Sequence, residues 1–242
     1  MSEPDSRGHA VLMDSVYRRQ RYIYDLTRKY YLFGRDRMIR ELALSPGARV
    51  VEVGCGTGRN LVQIARRYPQ SELFGLDASS EMLKTATQSL RRAGLQARVA
   101  LAHGYAEALS PAMFGQAAPF DAALFPYSLS MIPDWKQALR AAATALSATG
   151  RIHVVDFGDL TGLGRLGEHM LRSWLALFHV SPRIELLQTL ETHAQNERER
   201  NLRILPGRYA FILNCAAKDL YRLIDAVADE SQGAGKSGES SH

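Results

Sequence analysis

The sequence predicts an α/β chain: a doubly wound, seven-stranded, mostly parallel sheet, with an antiparallel edge strand supplied by a C-terminal hairpin. Three observations predict it. Strand-like and helix-like segments alternate from residue 49 to 157, a glycine-rich loop sits directly between a strand and a helix, and two further strand-like runs flank Pro206-Gly207.

The elements follow in order. Residues 49–53 (RVVEV) read as a strand, and 59–68 as a helix closed by Pro69. The run 72–76 is a strand ending at Asp77, and 79–93 is a helix with Gly94 placed as its C-cap. A strand over 98–102 comes next. The near-continuous apolar run at 120–125 suits a strand covered on both faces. An alanine-rich helix spans 134–146, and 151–157 is the fifth strand. Ser181-Pro182 opens a helix to about His193, with proline in the first turn, where its missing N–H has no partner to lose. Strands over 201–205 and 208–215 form the hairpin. Ligands of such sheets bind beyond the carboxyl ends of the strands, where the strand order switches.

A chain of 242 residues suits one large domain with modest extensions. The expected organisation is a basic, aromatic N-terminal segment over 1–45, the sheet domain over 46–229 and a Gly/Ser-rich tail over 230–242. Two cysteines outside any CxxC pair point to a reducing compartment. No stretch approaches the roughly 18 apolar residues of a membrane span, and the polar N-terminus lacks a signal peptide. Seven histidines without HxxxH spacing or a Cys/His cluster give no expectation of a metal.

The loop after the first strand is "VVEVGCGTGRN", with Gly54, Gly56 and Gly58 at every second position. Bare backbone there lets N–H groups and a helix N-terminus approach a ligand. A dinucleotide fingerprint needs a glycine six residues into the motif, but Arg59 or Leu61 stands there; the G-K-[ST] of a phosphate-binding loop is also absent. The stretch resembles the E-x-G-x-G-x-G motif of class I S-adenosylmethionine-dependent methyltransferases. Glu52 fills the acidic position, and Asp77 fills that of the acid that holds the ribose hydroxyls. The resemblance extends the cofactor-binding set to Cys55, Ala78, Met82, Gly104, Tyr105, Ala106, Phe125 and Tyr24. One departure stands out. Where such proteins often carry an acid for the adenine amino group, this chain has Tyr105, so its hydroxyl, Glu107 or a backbone carbonyl takes that contact, or the adenine sits differently.

The acceptor is sought after the fourth strand, in "FPYSLSMIPDW". No amide or acid stands where DNA amino-methyltransferases need one, so base methylation is disfavoured. Between Val16 and Arg40 lie eight basic residues and two acids, interleaved with tyrosines, a pattern that suits an anionic membrane surface, a lid over the cofactor, or both. "YDLTRKYYLFGRDRMIREL", "YSLSMIPDW" and "WLALFHVSPR" are similar to the betaine-lipid N-methyltransferases. That resemblance implies three methyl transfers to the amine of diacylglyceryl-homoserine, at the inner face of the membrane by a peripherally bound cytoplasmic enzyme. Phosphatidylethanolamine, a soluble amine or RNA, and a non-catalytic regulatory role are the alternatives; a nucleic-acid partner is not expected.

Methyl transfer is an in-line displacement, so positioning and desolvation dominate. Tyr127, Ser128 and Asp156 have the right address to hold the amine and pass on its proton. Tyr22, Tyr24, Tyr30 and Tyr127 offer aromatic faces to the growing cation. Arg28, Arg35 and Arg183 are candidates for the homoserine carboxylate, and His179 for orienting the substrate.

Overall fold

The computed structural model describes residues 32–177, 180–194, 201–220, 222, 224 and 225. The chain divides into two units, Met1–Phe33 and Gly34–His242, and the architecture below is that of the second. The tail over 230–242 lies outside the described residues.

Seven strands form one sheet: β1 (Arg49–Val53), β2 (Glu72–Asp77), β3 (Val99–His103), β4 (Phe120–Pro126), β5 (Leu146–Phe157), β6 (Asn201–Ile204) and β7 (Ala210–Ala216). Their order is β3-β2-β1-β4-β5-β7-β6. The first five run parallel, and β7 is antiparallel to both β5 and β6. The doubly wound sheet with an antiparallel edge is therefore the fold. The order reverses between β1 and β4, which places the switch point beside the glycine loop.

Helices cover the sheet: α1 (Arg35–Arg40), α2 (Arg59–Arg67), α3 (Ser80–Arg92), α4 (Trp135–Ala145), α5 (Gly164–Ala176) and α6 (Ile184–Ala194). Six of the seven residues of β4 are buried, as two covered faces require. In α2, Leu61, Ile64 and Ala65 form the buried face at helical spacing. Two helices start on side-chain caps: Ser79 accepts the Met82 N–H at 3.3 Å, and Asp134 accepts the Gln137 N–H at 3.1 Å. Small residues at Ala138, Ala142 and Ala145 on α4 are buried with Phe120, Phe125 and Phe211 in the core.

Three local features depart from the sequence reading. The helix expected from Ser181-Pro182 begins at Ile184, with Arg183 O accepting the Leu187 N–H at 3.2 Å, while the Arg183 side chain turns back onto the carbonyls of Leu129 and Ile132. Strand β5 starts at Leu146, through an irregularity in its register with β4 between Phe120 and Ala122. Helix α5 has no counterpart in the sequence reading, since two glycines early in the segment weaken its helical signal.

Candidate active site

The glycine loop closes β1 against β2. The N–H groups of Gly54 and Cys55 both donate to Leu76 O, at 2.8 and 3.0 Å. Gly54, Gly56 and Gly58 have φ of 71°, 54° and 77°, left-handed values that penalise a Cβ. Asp77 clasps the loop from the end of β2. Its Oδ2 accepts the Gly56 N–H at 2.7 Å, and its Oδ1 accepts the Ser79 N–H at 2.8 Å. Glu52 is buried in β1, and Asn60 Nδ2 donates to its Oε1 at 2.7 Å. Asn60 is a partner of Glu52 that the sequence reading missed; its only signal was a small polar residue between Arg59 and the apolar Leu61-Val62 at the helix start. Cys55 is buried, and burial beside Glu52 and Asp77 pushes its thiol far up, so it is an inert packing group.

The end of β4 faces this loop. A Cβ built on Gly54 would lie 2.7 Å from Ser128 Cβ, so the loop and the "YSLSMIPDW" stretch are in contact. Ser128 is buried, and its hydroxyl has no hydrogen-bond partner among the described residues. Tyr127 takes φ 60°, unusual for a bulky residue, and its N–H donates to Val155 O at 2.6 Å. Its buried ring meets Phe157 edge-on at 4.7 Å, and Phe157 in turn meets Tyr209 at 5.8 Å. Burial pushes the Tyr127 hydroxyl well up, reinforced by Tyr209 and Asp156 and opposed by the charge of Arg35.

Asp156 is wholly buried at the end of β5. It joins β5 to the turn after β4: Oδ1 accepts the Phe157 N–H at 2.8 Å and Oδ2 the Ser130 N–H at 3.0 Å. Burial raises its pKa to about 6, against the lowering effects of those N–H groups and the Arg183 charge. Arg183 is engaged with backbone. Its Nε donates to Leu129 O at 2.9 Å and its Nη2 to Ile132 O at 2.5 Å. The sequence reading offered Arg183 to a substrate carboxylate; in the structure, two of its donors hold the turn that carries Ser130.

The remaining expected residues divide. Ala78 is exposed and Met82 half-buried beside the loop, and His103 Nε2 lies 3.0 Å from Ala78 O. Gly104 is packed by the Met113 side chain, Ala106 is buried, and Tyr105 is 70% exposed. The Phe125 side chain lies entirely in the core, which leaves only its backbone to meet a ligand. Arg35 is buried on α1. Tyr22, Tyr24, Arg28, Tyr30 and His179 lie outside the described residues. Among the described residues, no group of His, Cys, Asp and Glu is arranged to hold a metal.

The chemistry of this cleft suits a cationic nucleoside without phosphates. Carboxylates stand at its base, its loop is bare backbone, and Arg59, the residue after the last glycine of the loop, is paired with Asp36 at 3.0 Å. Residues 50–150 match the family described as a methyltransferase domain. This is an S-adenosylmethionine-dependent methyltransferase domain. A ubiquinone/menaquinone biosynthesis C-methyltransferase of Syntrophotalea carbinolica is 32% identical over 166 residues, 66% of each chain. Its namesake in Geotalea uraniireducens is 28% identical over 140 residues, 55% of this chain and 58% of that one. The chain thus spans about half to two thirds of the length of these relatives. An S-adenosylmethionine-dependent methyltransferase from Aquifex aeolicus shares the fold, with a TM-score of 0.56 at 15% identity, covering 80% of this chain and 94% of that one.

S-adenosylmethionine, when bound, supplies an electrophilic methyl group on a sulfonium. What this chain adds is placement: Gly54, Gly56 and Gly58 give the approach, Asp77 fixes the loop, and Ser128 presents beside it a hydroxyl with no hydrogen-bond partner among the described residues.

Proposed function

We propose that this chain is an N-methyltransferase that adds three methyl groups to the amine of diacylglyceryl-homoserine, forming the betaine lipid diacylglyceryl-trimethylhomoserine at the inner membrane surface. One observation carries the reading. The most distinctive stretch of the betaine-lipid resemblance, "YSLSMIPDW", packs its Ser128 directly against Gly54 of the cofactor loop. An amine must attack as a free base. The Ser128 hydroxyl can accept a hydrogen bond from it and hand its proton to water. Aromatic faces favour the cation that grows with each methyl, and Arg35 is the described candidate for the homoserine carboxylate.

A second reading has its own support: the first two relatives are named as quinone C-methyltransferases. A phenolic acceptor would be attacked at carbon and would need no cationic partner for a carboxylate. Mixed micelles containing diacylglyceryl-homoserine, demethylmenaquinol or phosphatidylethanolamine, each given labelled S-adenosylmethionine, separate these outcomes. Label in the betaine lipid is the expected result. Label only in the quinone overturns the proposal, as does label only in phosphatidylethanolamine. Tight cofactor binding with no turnover on any lipid, amine or RNA would make the chain a regulator.

A further inference from the structure

Helix α5 carries a second apolar stripe, on the side that faces away from the protein. Leu163 and Leu177 bracket it, and Leu166 and Met170 lie within it. At 3.6 residues per turn, these positions fall within an arc of about 60°, along roughly 21 Å of helix. All four are exposed: Leu166 by 74%, Leu177 by 67%, Met170 by 64% and Leu163 by 37%. The inner side of the helix buries Leu175 and half-buries Leu171 and Trp174, and it is tied down by Arg172. Arg172 donates from Nη2 to Asp159 O at 2.6 Å and from Nε to Glu168 Oε1 at 2.9 Å. An ordinary surface helix buries its apolar stripe and shows its ions to solvent.

The stripe is rigidly mounted. Arg208 holds Asp159, before α5, at 2.8 Å and Glu191 on α6 at 2.8 Å. The backbones of Gly162 and Gly207 pack so closely that a Cβ on Gly162 would lie 2.7 Å from Gly207 C. The stripe also leads to the acceptor side. Beyond Leu177, the Ser181 N–H donates to Ser130 O at 2.9 Å, and the next residue, Met131, is exposed as well.

We propose that α5 docks the protein on an anionic bilayer, with Leu163, Leu166, Met170 and Leu177 inserted among the headgroups and acyl ends. Charge agrees with that partner. The chain carries a net +5, and α5 has two arginines against one glutamate, which Arg172 already pairs. Such helices bind by buried apolar area plus attraction to anionic lipid. The proposal rests on the lipid-substrate reading for its purpose: a diacyl substrate keeps its tails in the bilayer while its headgroup reaches Ser128.

The test is co-sedimentation of the full chain with phosphatidylcholine vesicles, with and without phosphatidylglycerol, alongside the double variant Leu166→Ser/Met170→Ser. The parent protein should bind the anionic vesicles, and the variant should lose at least about tenfold in partitioning, with unfolding temperature and cofactor affinity unchanged. Equal binding by the two proteins overturns the proposal and assigns attachment elsewhere in the chain. A parent protein that ignores vesicles but self-associates through these residues also overturns it, in favour of a second copy. Vesicle binding through α5 without methyl transfer to diacylglyceryl-homoserine defeats the substrate reading and leaves the docking helix standing. Turnover with binding insensitive to the pair does the reverse.

Discussion

Gly54 and Ser128 meet so closely that a Cβ on the glycine would lie 2.7 Å from the serine Cβ, joining the glycine loop to the turn after β4. Gly54→Ala should therefore fail twice, through its φ of 71° and through this contact. The left-handed backbone alone disfavours alanine by on the order of 1–2 kcal/mol. Calorimetric titration with S-adenosylmethionine is expected to show affinity reduced at least about tenfold. Unchanged affinity would mean the loop does not bear on the cofactor.

Asp77 closes the loop, and the methyltransferase resemblance expects it to hold the ribose. Asp77→Ala should weaken cofactor binding by on the order of 1–3 kcal/mol, through lost charge-assisted hydrogen bonds. It also frees the Gly56 and Ser79 N–H groups, so hydrogen exchange at these two amides should speed up even without ligand. Exchange that stays slow would show that the loop is held by other contacts.

Arg183 separates a positioning role from a binding one. Lysine keeps the charge but cannot span two carbonyls as the guanidinium fork does. If Arg183 works by holding Leu129 O and Ile132 O, Arg183→Lys and Arg183→Ala should impair methyl transfer alike, with cofactor affinity intact. Full activity in the lysine variant would return Arg183 to the substrate carboxylate.

Two buried groups in β5 should give the protein an unusual acid response. Asp156 has its pKa raised by burial from 3.8 to about 6, so it binds its proton more tightly folded than unfolded. Its contribution makes the fold less stable as pH rises from about 4 to about 6, by about 3 kcal/mol in all. His153 runs the other way. Burial, with the nearby Arg151 charge, lowers its pKa from 6.5 to about 4, so stability is lost as pH falls across that range, by a similar amount. The two effects oppose each other. Thermal melts of Asp156→Asn should fall more steeply on acidification from pH 6.5 to 4 than the parent, and those of His153→Gln less steeply. Parallel melting curves for all three proteins would rule out this pairing.

Much of the site was legible because it is local. Glycines at alternate positions, an acid before them and another ending the next strand are set by backbone conformation and by charge within about 25 residues, so Glu52, the loop and Asp77 could be read directly. That the Phe125 side chain serves only the core, and that Asp156 is wholly buried, were harder to see. An apolar residue at a strand end looks the same whether it faces a ligand or a helix, and an acid at a strand end gives no sign that backbone N–H groups will claim both its oxygens.

By itself, the sequence determined the fold class and the methyl donor, because periodicity, glycine spacing and charge act over short separations. The tertiary structure decided three further matters: Arg183 grips a turn more than 50 residues earlier, Asn60 steadies Glu52, and α5 turns leucines outward. Each depends on which surfaces the folded sheet leaves covered or bare, and no local pattern carries that information.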